Sequence, residues 1–377
     1  MPSICLITTV HSPLDSRIFY KIACSLARAG YAVTVLGPDA PDTTIDGVRL
    51  KPLPAKPPAR FAWKRWFRLP RVWWIARAEH ADLYIIHDPE LTPIGLLLKL
   101  GRRRVIYDVI EHTPYQILDK EWIPKPLRRP VSWLFDRWEK LAARFFDALL
   151  PNFEQIADRF AHVKHKVVII RNVPEVERWT PAHPGTRNAD GQVIAIYAGS
   201  AQSDRCILEL VQAANAVDPA LNLHLWVIGP FDTPDYEAEV RAAAGERVKI
   251  FGYVRHDQVP ELMSQAHIGL MSLRLGPNSS VNWPIKLFEY MVTGLPMIMH
   301  HNPFWMTLAD GCALPVNIED PADIARGLTD LASDDARRAA MGAQGRQLVL
   351  DQYNWASQET ALLALVDRLI GPSETNL

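Results

Sequence analysis

The sequence is poor in cysteine, in net charge and in long apolar runs, and each shortage excludes a class of protein. Its four cysteines are scattered, without the spacing of zinc ligands or of a disulfide framework. The net charge of −1 supplies no global field that would attract nucleic acid. No apolar run approaches the roughly 20 residues that cross a bilayer. The start, MPSICLITTV, lacks the basic region and long apolar core of a signal peptide, so we expect a cytoplasmic protein.

The first half of the chain alternates strand and helix patterns. An apolar run at residues 4–10 predicts a buried strand, residues 16–29 an amphipathic helix, and residues 32–36 a second strand. This order implies a parallel sheet in a doubly wound α/β domain. Further strands are predicted at residues 83–86, 105–107, 148–150 and 167–170.

Residues 172–192 interrupt this pattern, because they are polar, rich in proline and glycine, and without a hydrophobic period. A second doubly wound sheet is predicted after them, with strands at 193–197, 223–228, 248–251, 268–271 and 297–299. A terminal helix begins near residue 354. We therefore predict two α/β domains at 1–172 and 193–353, a linker at 173–192 and a terminal helix within 354–377, as the length of 377 residues allows.

Three loops of the first domain follow the carboxyl ends of predicted strands, where ligands of open α/β sheets bind. They comprise residues 8–17, 87–90 and 108–115. Their polar side chains are candidates for contact with a substrate hydroxyl or phosphate: His11, Asp15, Arg17, His87, Asp88, Asp108, Glu111 and His112. Asp15 and Asp108 could equally cap the turns or helices that follow them.

The segment NSSVNWPIKLFEYMVTGLP, residues 278–296, predicts a loop, a helix and a stop. Pro284 suits the first turn of a helix, and Gly294 with Pro296 ends it. Lys286 and Glu289 are three residues apart and share one helix face. The helix N-terminus and the ammonium suit phosphates, and the carboxylate suits ribose hydroxyls. A surface ion pair on a core helix is the alternative.

Residues 51–78 hold eight basic residues, four tryptophans and no acidic residue. The pattern is typical of a helix in a membrane interface, with rings in the headgroups and cations toward anionic lipid. The predicted membrane contacts are Trp63, Lys64, Arg65, Trp66, Arg68, Arg71, Trp73 and Trp74. The alternatives are a helix kinked at Pro70 and packed on the sheet, or a nucleic-acid site.

A second apolar stripe follows three basic residues, Lys125, Arg128 and Arg129. Its members are Leu127, Val131, Leu134, Trp138, Leu141 and Phe145. We predict a core helix here, with a second membrane-surface helix as the alternative.

Several segments resemble the GT-B glycosyltransferases, most closely the large family 4-like group that builds bacterial cell-surface polysaccharides. HSPLDSRIFYKIACSLARAGYAVTVL resembles the first strand–loop–helix of that family, and IYAGSAQSDR the start of its second domain. IFGYV resembles the loop at the nucleotide base, PIKLFEYMVTGLP the donor helix, and YNWASQETALL the terminal helix that crosses back to the first domain. The resemblance implies two Rossmann-like domains that face a cleft.

The resemblance also implies roles for single residues. Glu289 would bind ribose, Arg205 and Lys286 would neutralise the departing diphosphate, and Tyr253 would flank the base. Gly199 and Ser200 would let the backbone approach the diphosphate. No metal is expected, because the two cations and the helix dipole do the charge work, and no DxD-type carboxylate pair follows a strand.

The sequence departs from the family pattern at two positions. Many relatives carry a glutamate eight residues before the ribose-binding one, where this chain has Val281; Asn278, Ser279, Ser280 or Asn282 would have to substitute. The family's Asp-x-His-Glu pattern reads Asp108-Val109-Ile110-Glu111, so Ile110 stands at the histidine position and His112 follows.

The expected reaction is transfer of a hexose from a nucleotide diphosphate sugar, with UDP favoured, to a lipid-linked saccharide in surface polysaccharide synthesis. Glu111 and His112 are the first candidates for the base that activates the acceptor hydroxyl. Asp108 and the His87–Asp88 pair come next, and retention or inversion stays open. We expect a peripheral protein on the inner face of the cell membrane.

The same residues are compatible with three other functions. A nucleotide-sugar 2-epimerase would share the donor site. A degenerate subunit would bind sugar nucleotide and support an active partner. A nucleic-acid-binding protein is the weakest alternative, and steeply salt-dependent binding would reveal it.

Overall fold

The computed structural model describes residues 1–55, 66–120, 123–255, 257–276 and 283–372. The chain forms two compact units, each built around its own sheet. The first unit contains Met1–Asn172 and Trp355–Leu377, and the second contains Val173–Asn354. The terminal helix is therefore part of the first unit.

The described residues of the first unit form a seven-stranded sheet in the order β3-β4-β2-β1-β5-β6-β7. Its strands are β1 Ser3–Ile7, β2 Ala32–Pro38, β3 Thr43–Ile45, β4 Val48–Leu53, β5 Leu83–Ile86, β6 Arg104–Val109 and β7 Ala148–Pro151. All neighbouring pairs are parallel except β3 and β4. The order reverses between β1 and β5, which marks the ligand-binding edge of such a sheet.

Helices cover both faces of this sheet. They are α1 Cys24–Arg28, preceded by a π-helical segment Ser16–Ala23, then α2 Leu69–Ala78, α3 Thr92–Leu100, α4 Thr113–Asp119, α5 Lys125–Ala143, α6 Glu154–Asp158 and α14 Trp355–Ile370. On one face Ile4 and Leu6 pack into a core with Leu362 of α14. On the other, Tyr84 bonds to Ala76 of α2, and Tyr107 bonds to Glu139 of α5.

Several predicted boundaries in the first unit are wrong. Strand β1 ends at Ile7 rather than at Val10, because the N–H groups of Thr9 and Val10 donate to the Asp88 carboxylate and not to a strand. Residues 167–170 make a single bridge from Val167 to Leu149 and form no strand. Strands β3 and β4 fall in segments for which no strand was predicted.

The described residues of the second unit form a six-stranded parallel sheet in the order β10-β9-β8-β11-β12-β13. Its strands are β8 Val193–Ala198, β9 Leu223–Ile228, β10 Val248–Gly252, β11 Ile268–Met271, β12 Met297–His300 and β13 Ala313–Val316. The helices are α7 Ile207–Ala216, α8 Pro234–Ala243, α9 Val259–Ser264, α10 Ile285–Thr293, α11 Pro303–Leu308, α12 Pro321–Ala332 and α13 Asp335–Gln352. The predicted fold class, two doubly wound α/β domains, is confirmed.

The segment 173–192, predicted as a linker, packs on the second unit. Trp179 is buried in the core of this unit. The Ala182 N–H donates to the Thr293 carbonyl at 2.7 Å, and Arg338 donates to the Pro184 carbonyl at 2.7 Å. These bonds hold an irregular segment without a strand or a long helix.

The two apolar helices of the first unit differ from their predictions. Pro70 lies in the first turn of α2, where its missing N–H breaks no helical bond, so it introduces no kink. The predicted core stripe of α5 is instead exposed at Leu127, Val131, Leu134, Leu141 and Phe145. Trp138 alone among its members turns inward, and donates to Thr92 at 2.8 Å.

Some predicted membrane contacts cannot be placed, because Trp63, Lys64 and Arg65 lie outside the described residues. Trp66 and Trp74 are exposed, Arg71 is also exposed, and Arg68 and Trp73 are half-buried. Among the described residues, no helix combines the length and the apolar character needed to span a bilayer.

Candidate active site

Asp88 organises the loop that follows β1. Its carboxylate accepts hydrogen bonds from the Thr8 hydroxyl at 2.9 Å and from the N–H groups of Thr9 at 2.5 Å and Val10 at 3.2 Å. The second oxygen lies 3.5 Å from Nε2 of His11. Asp88 is buried. It therefore shapes the strand-end loop and orients His11, whereas a direct role toward substrate stays a prediction.

Arg17, His87 and Asp108 form a buried charged cluster under this loop. The Arg17 guanidinium donates to both oxygens of Asp108, at 2.6 and 2.9 Å, and also to the Ile170 carbonyl at 2.8 Å. Nδ1 of His87 lies 2.9 Å from Asp108. Burial would raise the pKa of Asp108, but the Arg17 charge and the His87 hydrogen bond outweigh it and lower the pKa to about 2. Asp108 is thus a paired carboxylate, ill-suited to accept a proton at neutral pH.

Glu111 and His112 follow β6 at the start of α4. The crowding of protein atoms around Glu111 raises the pKa of its carboxyl, against the opposing charges of His11 and Lys120. Its side chain still reaches solvent and accepts a hydrogen bond from Gln116.

His112 is the capping residue of α4. Its Nδ1 accepts from the Tyr115 N–H at 3.3 Å, and its ring stacks on the Tyr115 ring with centroids 3.9 Å apart. Burial and the charge of Arg159 lower the pKa of His112 to about 4. The ring is therefore neutral at pH 7, with Nδ1 occupied and the proton on Nε2.

Asp15 caps the helical segment that begins at Ser16, as its alternative interpretation predicted. Its carboxylate accepts from the N–H groups of Arg17 at 2.8 Å and Ile18 at 3.1 Å. Sequence reasoning missed Glu90, which accepts from the Thr9 hydroxyl at 3.1 Å. Thr9 and Glu90 lie in the polar loops that follow β1 and β5, and this position was the signal that could have indicated them.

Three glycines with positive φ end three adjacent strands of the second unit. Gly199, Gly229 and Gly252 follow or end β8, β9 and β10, with φ of 152°, 131° and 71°. A β-carbon on Gly229 would lie 1.9 Å from the Gly199 carbonyl oxygen. The Gly199 N–H donates to Ile228, and the Gly229 N–H to Gly252, both at 2.8 Å. The strand ends therefore form a floor without side chains.

Two cations lie beside this floor. A β-carbon on Gly199 would lie 2.0 Å from Cε of Lys286, so the glycine leaves the space that the lysine occupies. Burial, and after it the charge of Arg205, lowers the pKa of Lys286. In the described part of the chain, no hydrogen bond or ion pair neutralises the ammonium. Arg205 is half-buried, and its Nε lies 3.5 Å from Asp204.

The remaining donor-site candidates surround the same edge. Glu289 is half-buried on α10, one turn after Lys286. No ion pair joins these two side chains within the described ranges, which disfavours the surface ion pair. Tyr253 directly follows Gly252 and is 74% exposed. Ser200 accepts from the Tyr197 hydroxyl through its backbone carbonyl at 2.8 Å.

Helix α10 is held in place by Tyr290, which sequence reasoning missed. Its hydroxyl accepts from the Ala198 N–H at 3.1 Å and donates to the Leu270 carbonyl at 3.1 Å. These groups lie at the ends of β8 and β11, where the two strands no longer pair. The helix ends at Gly294, whose φ of 81° confirms the predicted stop.

The loop 277–282, with the candidate substitutes Asn278, Ser279, Ser280 and Asn282 and with Val281, lies outside the described residues. Elsewhere, in the ranges that the structure does describe, no group of three or more His, Cys, Asp or Glu side chains is arranged to hold a metal ion.

Two family models match this chain in tandem. Residues 16–172 match the glycosyl transferase 4-like domain, and residues 192–334 match the glycosyl transferases group 1 domain. The chain belongs to the GT-B glycosyltransferases. The family and the class of enzyme expected from the sequence are confirmed. No curated protein sequence matches this glycosyltransferase.

Solved structures resemble the glycosyltransferase over its full length. Sucrose-phosphate synthase from Thermosynechococcus elongatus has a TM-score of 0.77 at 18% identity, with 98% of this chain and 99% of that chain covered. Anabaena Alr3699/HepE, in complex with UDP and glucose, has a TM-score of 0.72 at 12% identity, with 98% and 100% covered. An α,α-trehalose-phosphate synthase (UDP-forming) from Burkholderia xenovorans has a TM-score of 0.64 at 13% identity, with 97% and 100% covered. At these identities the likeness concerns the fold.

Proposed function

We propose that the protein transfers a hexosyl group from a UDP-sugar to a hydroxyl of a lipid-linked saccharide, in the synthesis of a surface polysaccharide. The observation that carries the donor half is the Lys286 ammonium, which fills the space left by Gly199 beside Arg205 and has no hydrogen-bond or ion-pair partner among the described residues. A diphosphate would supply the missing negative charge. Two solved relatives support the choice of UDP, since one is described in complex with UDP and glucose and another as UDP-forming.

In this proposal the second unit binds the donor. The glycine floor lets the diphosphate approach the backbone, and Lys286 and Arg205 stabilise the charge that grows on the leaving phosphate oxygen. Glu289 accepts hydrogen bonds from the ribose hydroxyls, and Tyr253 stacks beside the base. The two cations do this charge work without a metal ion.

The first unit supplies the acceptor side. The bond from the anomeric carbon to the diphosphate breaks with its electrons on the phosphate, and the acceptor oxygen forms the new bond. Glu111 accepts the acceptor's proton, because its raised pKa suits a base. His112 has its Nδ1 occupied, and Asp108 is paired with Arg17. His87 and Arg17 position Asp108 and the loop above it.

Release of UDP from UDP-glucose or another UDP-hexose, with and without acceptor, tests the donor half. Lys286→Ala and Glu289→Ala should abolish release, whereas the exposed controls Lys164→Ala and Glu239→Ala should leave it unchanged. Unchanged release in the first pair would refute this donor site. Formation of a free epimerised sugar would instead favour a 2-epimerase, and nucleotide binding without turnover a supporting subunit.

A further inference from the structure

Helix α5 presents an apolar stripe that the described residues of the first unit leave exposed. The α5 stripe comprises Leu127, Val131, Leu134, Leu141 and Phe145, all exposed. Leu134 is 64% exposed, and Phe145, just after the helix, is 57% exposed. The intervals of three, four and seven residues place these side chains on one side of the helix. A stripe of this length costs solvation energy unless something binds it.

Exposed apolar side chains also lie on the neighbouring helices. Helix α2 contacts α3, and α3 contacts α5, so the three form one layer. Leu100 at the end of α3, and Phe67 and Trp74 beside or within α2, are also exposed. By contrast, the large apolar side chains that are exposed in the described part of the second unit are Tyr253 and Leu350. The apolar surface is therefore concentrated on one helical layer.

This layer is also positively charged. Helix α5 and the residue that follows it carry Lys125, Arg128, Arg129, Arg137, Lys140 and Arg144. Its two carboxylates, Asp136 and Glu139, are bound from within by Arg159, at 2.8 and 2.6 Å. Lys140 also binds Asp136, at 2.6 Å, and Arg128 turns inward to the carbonyls of Leu118 and Ile123. The basic residues that α5 and its end expose to solvent are therefore Lys125, Arg129, Arg137 and Arg144.

A cavity of about 430 Å³ lies beside the stripe at its carboxyl end. Its lining includes Arg137, Lys140, Leu141, Arg144, Arg159 and His162. Leu141 belongs to both the cavity and the α5 stripe. Lys140 and Arg159 are paired with carboxylates, so Arg137 and Arg144 are the exposed cations of this lining. Two exposed guanidinium groups next to an apolar stripe match a molecule with a phosphate head and alkyl chains.

We propose that the α5 stripe and this cavity bind an anionic lipid bilayer, with a lipid phosphate in the cavity and the apolar side chains at the headgroup–acyl boundary. This surface rests on the proposed function in one respect, since a lipid-linked acceptor lies at a membrane. Binding of lipid by the stripe and the cavity does not itself require glycosyl transfer. It moves the main membrane contact from residues 51–78, where the sequence placed it, to a helix that was expected in the core.

Flotation of the full chain with vesicles of phosphatidylcholine, alone or mixed with phosphatidylglycerol, tests the surface. The wild type should float with the mixed vesicles and bind the neutral ones at least about tenfold more weakly, because each basic residue adds attraction to anionic lipid. Leu134→Glu with Phe145→Glu should abolish flotation. Arg137→Glu with Arg144→Glu should remove the preference for anionic vesicles. Leu350→Glu with Arg326→Glu, both exposed on the second unit, should behave as the wild type.

Three outcomes would overturn the proposal. The first is unchanged flotation of both α5 double variants. The second is a wild-type dimer that Leu134→Glu converts to a monomer without any vesicle binding, which would assign the face to a second copy. The third is release from anionic vesicles by inorganic phosphate at constant ionic strength, which would assign the cavity to a soluble anion.

UDP release in solution separates this inference from the proposed function. Both α5 double variants should retain the wild-type rate, because they lie outside the donor site. Vesicle binding without UDP release would refute the proposed function alone. UDP release without vesicle binding would refute only the membrane-binding role of the α5 stripe.

Discussion

The side chain of Lys286 occupies the space that a β-carbon on Gly199 would fill, since that carbon would lie 2.0 Å from Cε of the lysine. A helix residue and a strand-end residue thus determine each other's position. Gly199 directly follows β8, and Lys286 lies in the first turn of α10. The absence of a side chain at one position is what lets a cation reach the strand-end floor.

Gly199→Ala should therefore displace Lys286 and weaken UDP binding by at least about tenfold, or about 1.4 kcal/mol. Titration calorimetry with UDP measures the effect. Gly191→Ala is the matched control, because Gly191 also has a positive φ of 70° but its β-carbon would meet Asn222 only at 3.9 Å. Equal losses of affinity in the two variants would show that backbone strain, and not the lysine, is responsible.

Tyr290→Phe should loosen α10 and lower both stability and UDP affinity. The variant leaves the Ala198 N–H and the Leu270 carbonyl without the hydroxyl, at a cost of about 1–3 kcal/mol. Thermal unfolding and UDP titration measure the two effects. In the first unit, Tyr84 makes an equivalent pair of bonds to Ala81 and Ala76, so Tyr84→Phe should cost stability alone. Full UDP affinity in Tyr290→Phe would contradict the positioning role.

Asp108→Asn should destabilise the first unit by about 3–5 kcal/mol, because it leaves the buried Arg17 charge without its partner. Urea unfolding, followed by a probe in that unit, measures the loss. The exposed pair of Glu237 and Arg241 provides the control, since Glu237→Gln should cost less than about 1 kcal/mol.

The pair of Asp108 and Arg17 also predicts how the stability of the first unit depends on pH. The folded-state pKa of Asp108, about 2, is below its ordinary value of 3.8. Its stabilisation is therefore complete above about pH 4 and is lost as the pH falls toward 2. Asp108→Asn should remove this part of the acid destabilisation. An unaltered acid limb in the variant would mean that other carboxylates account for it.

Glu111→Gln should reduce transfer by about 10²–10⁴-fold while UDP affinity stays unchanged. In the wild type, the acid limb of kcat/KM should have its midpoint above 4.5, the ordinary value for glutamic acid, because the pKa of Glu111 is raised. The limb should vanish in the variant. Asp119→Asn, at the exposed end of α4, is the control. A limb that survives in Glu111→Gln would transfer the base role to another group.

Local sequence patterns were sufficient to predict many of the strands and helices. The strands β5, β9 and β11 were predicted at their observed bounds, because short strands of a parallel sheet are mostly apolar along their length. Helix α10 begins just after Pro284 and ends before Gly294, since both residues restrict the backbone locally. The donor-site candidates were found because strand ends and helix starts in such sheets are ligand sites by position.

Contacts between distant residues could not be predicted in this way. Arg17 and Asp108 are 91 residues apart, and each alone is compatible with a catalytic or a capping role. Only the parallel order of β1, β5 and β6 makes them partners, together with His87. The pairing of Tyr290 with Ala198 likewise depends on where β8 and β11 separate, which no local pattern records.

The sequence by itself determined the α/β class, the strand-end loops and the lysine–glutamate helix, because backbone restriction and hydrophobic period act within a few residues. Tertiary structure decided which side chains are paired, buried or exposed. Helix α5 is the clearest case: its period specifies an apolar face, but what covers that face depends on the neighbours that α3, α4 and the sheet provide. Those neighbours leave Leu134 and Phe145 exposed.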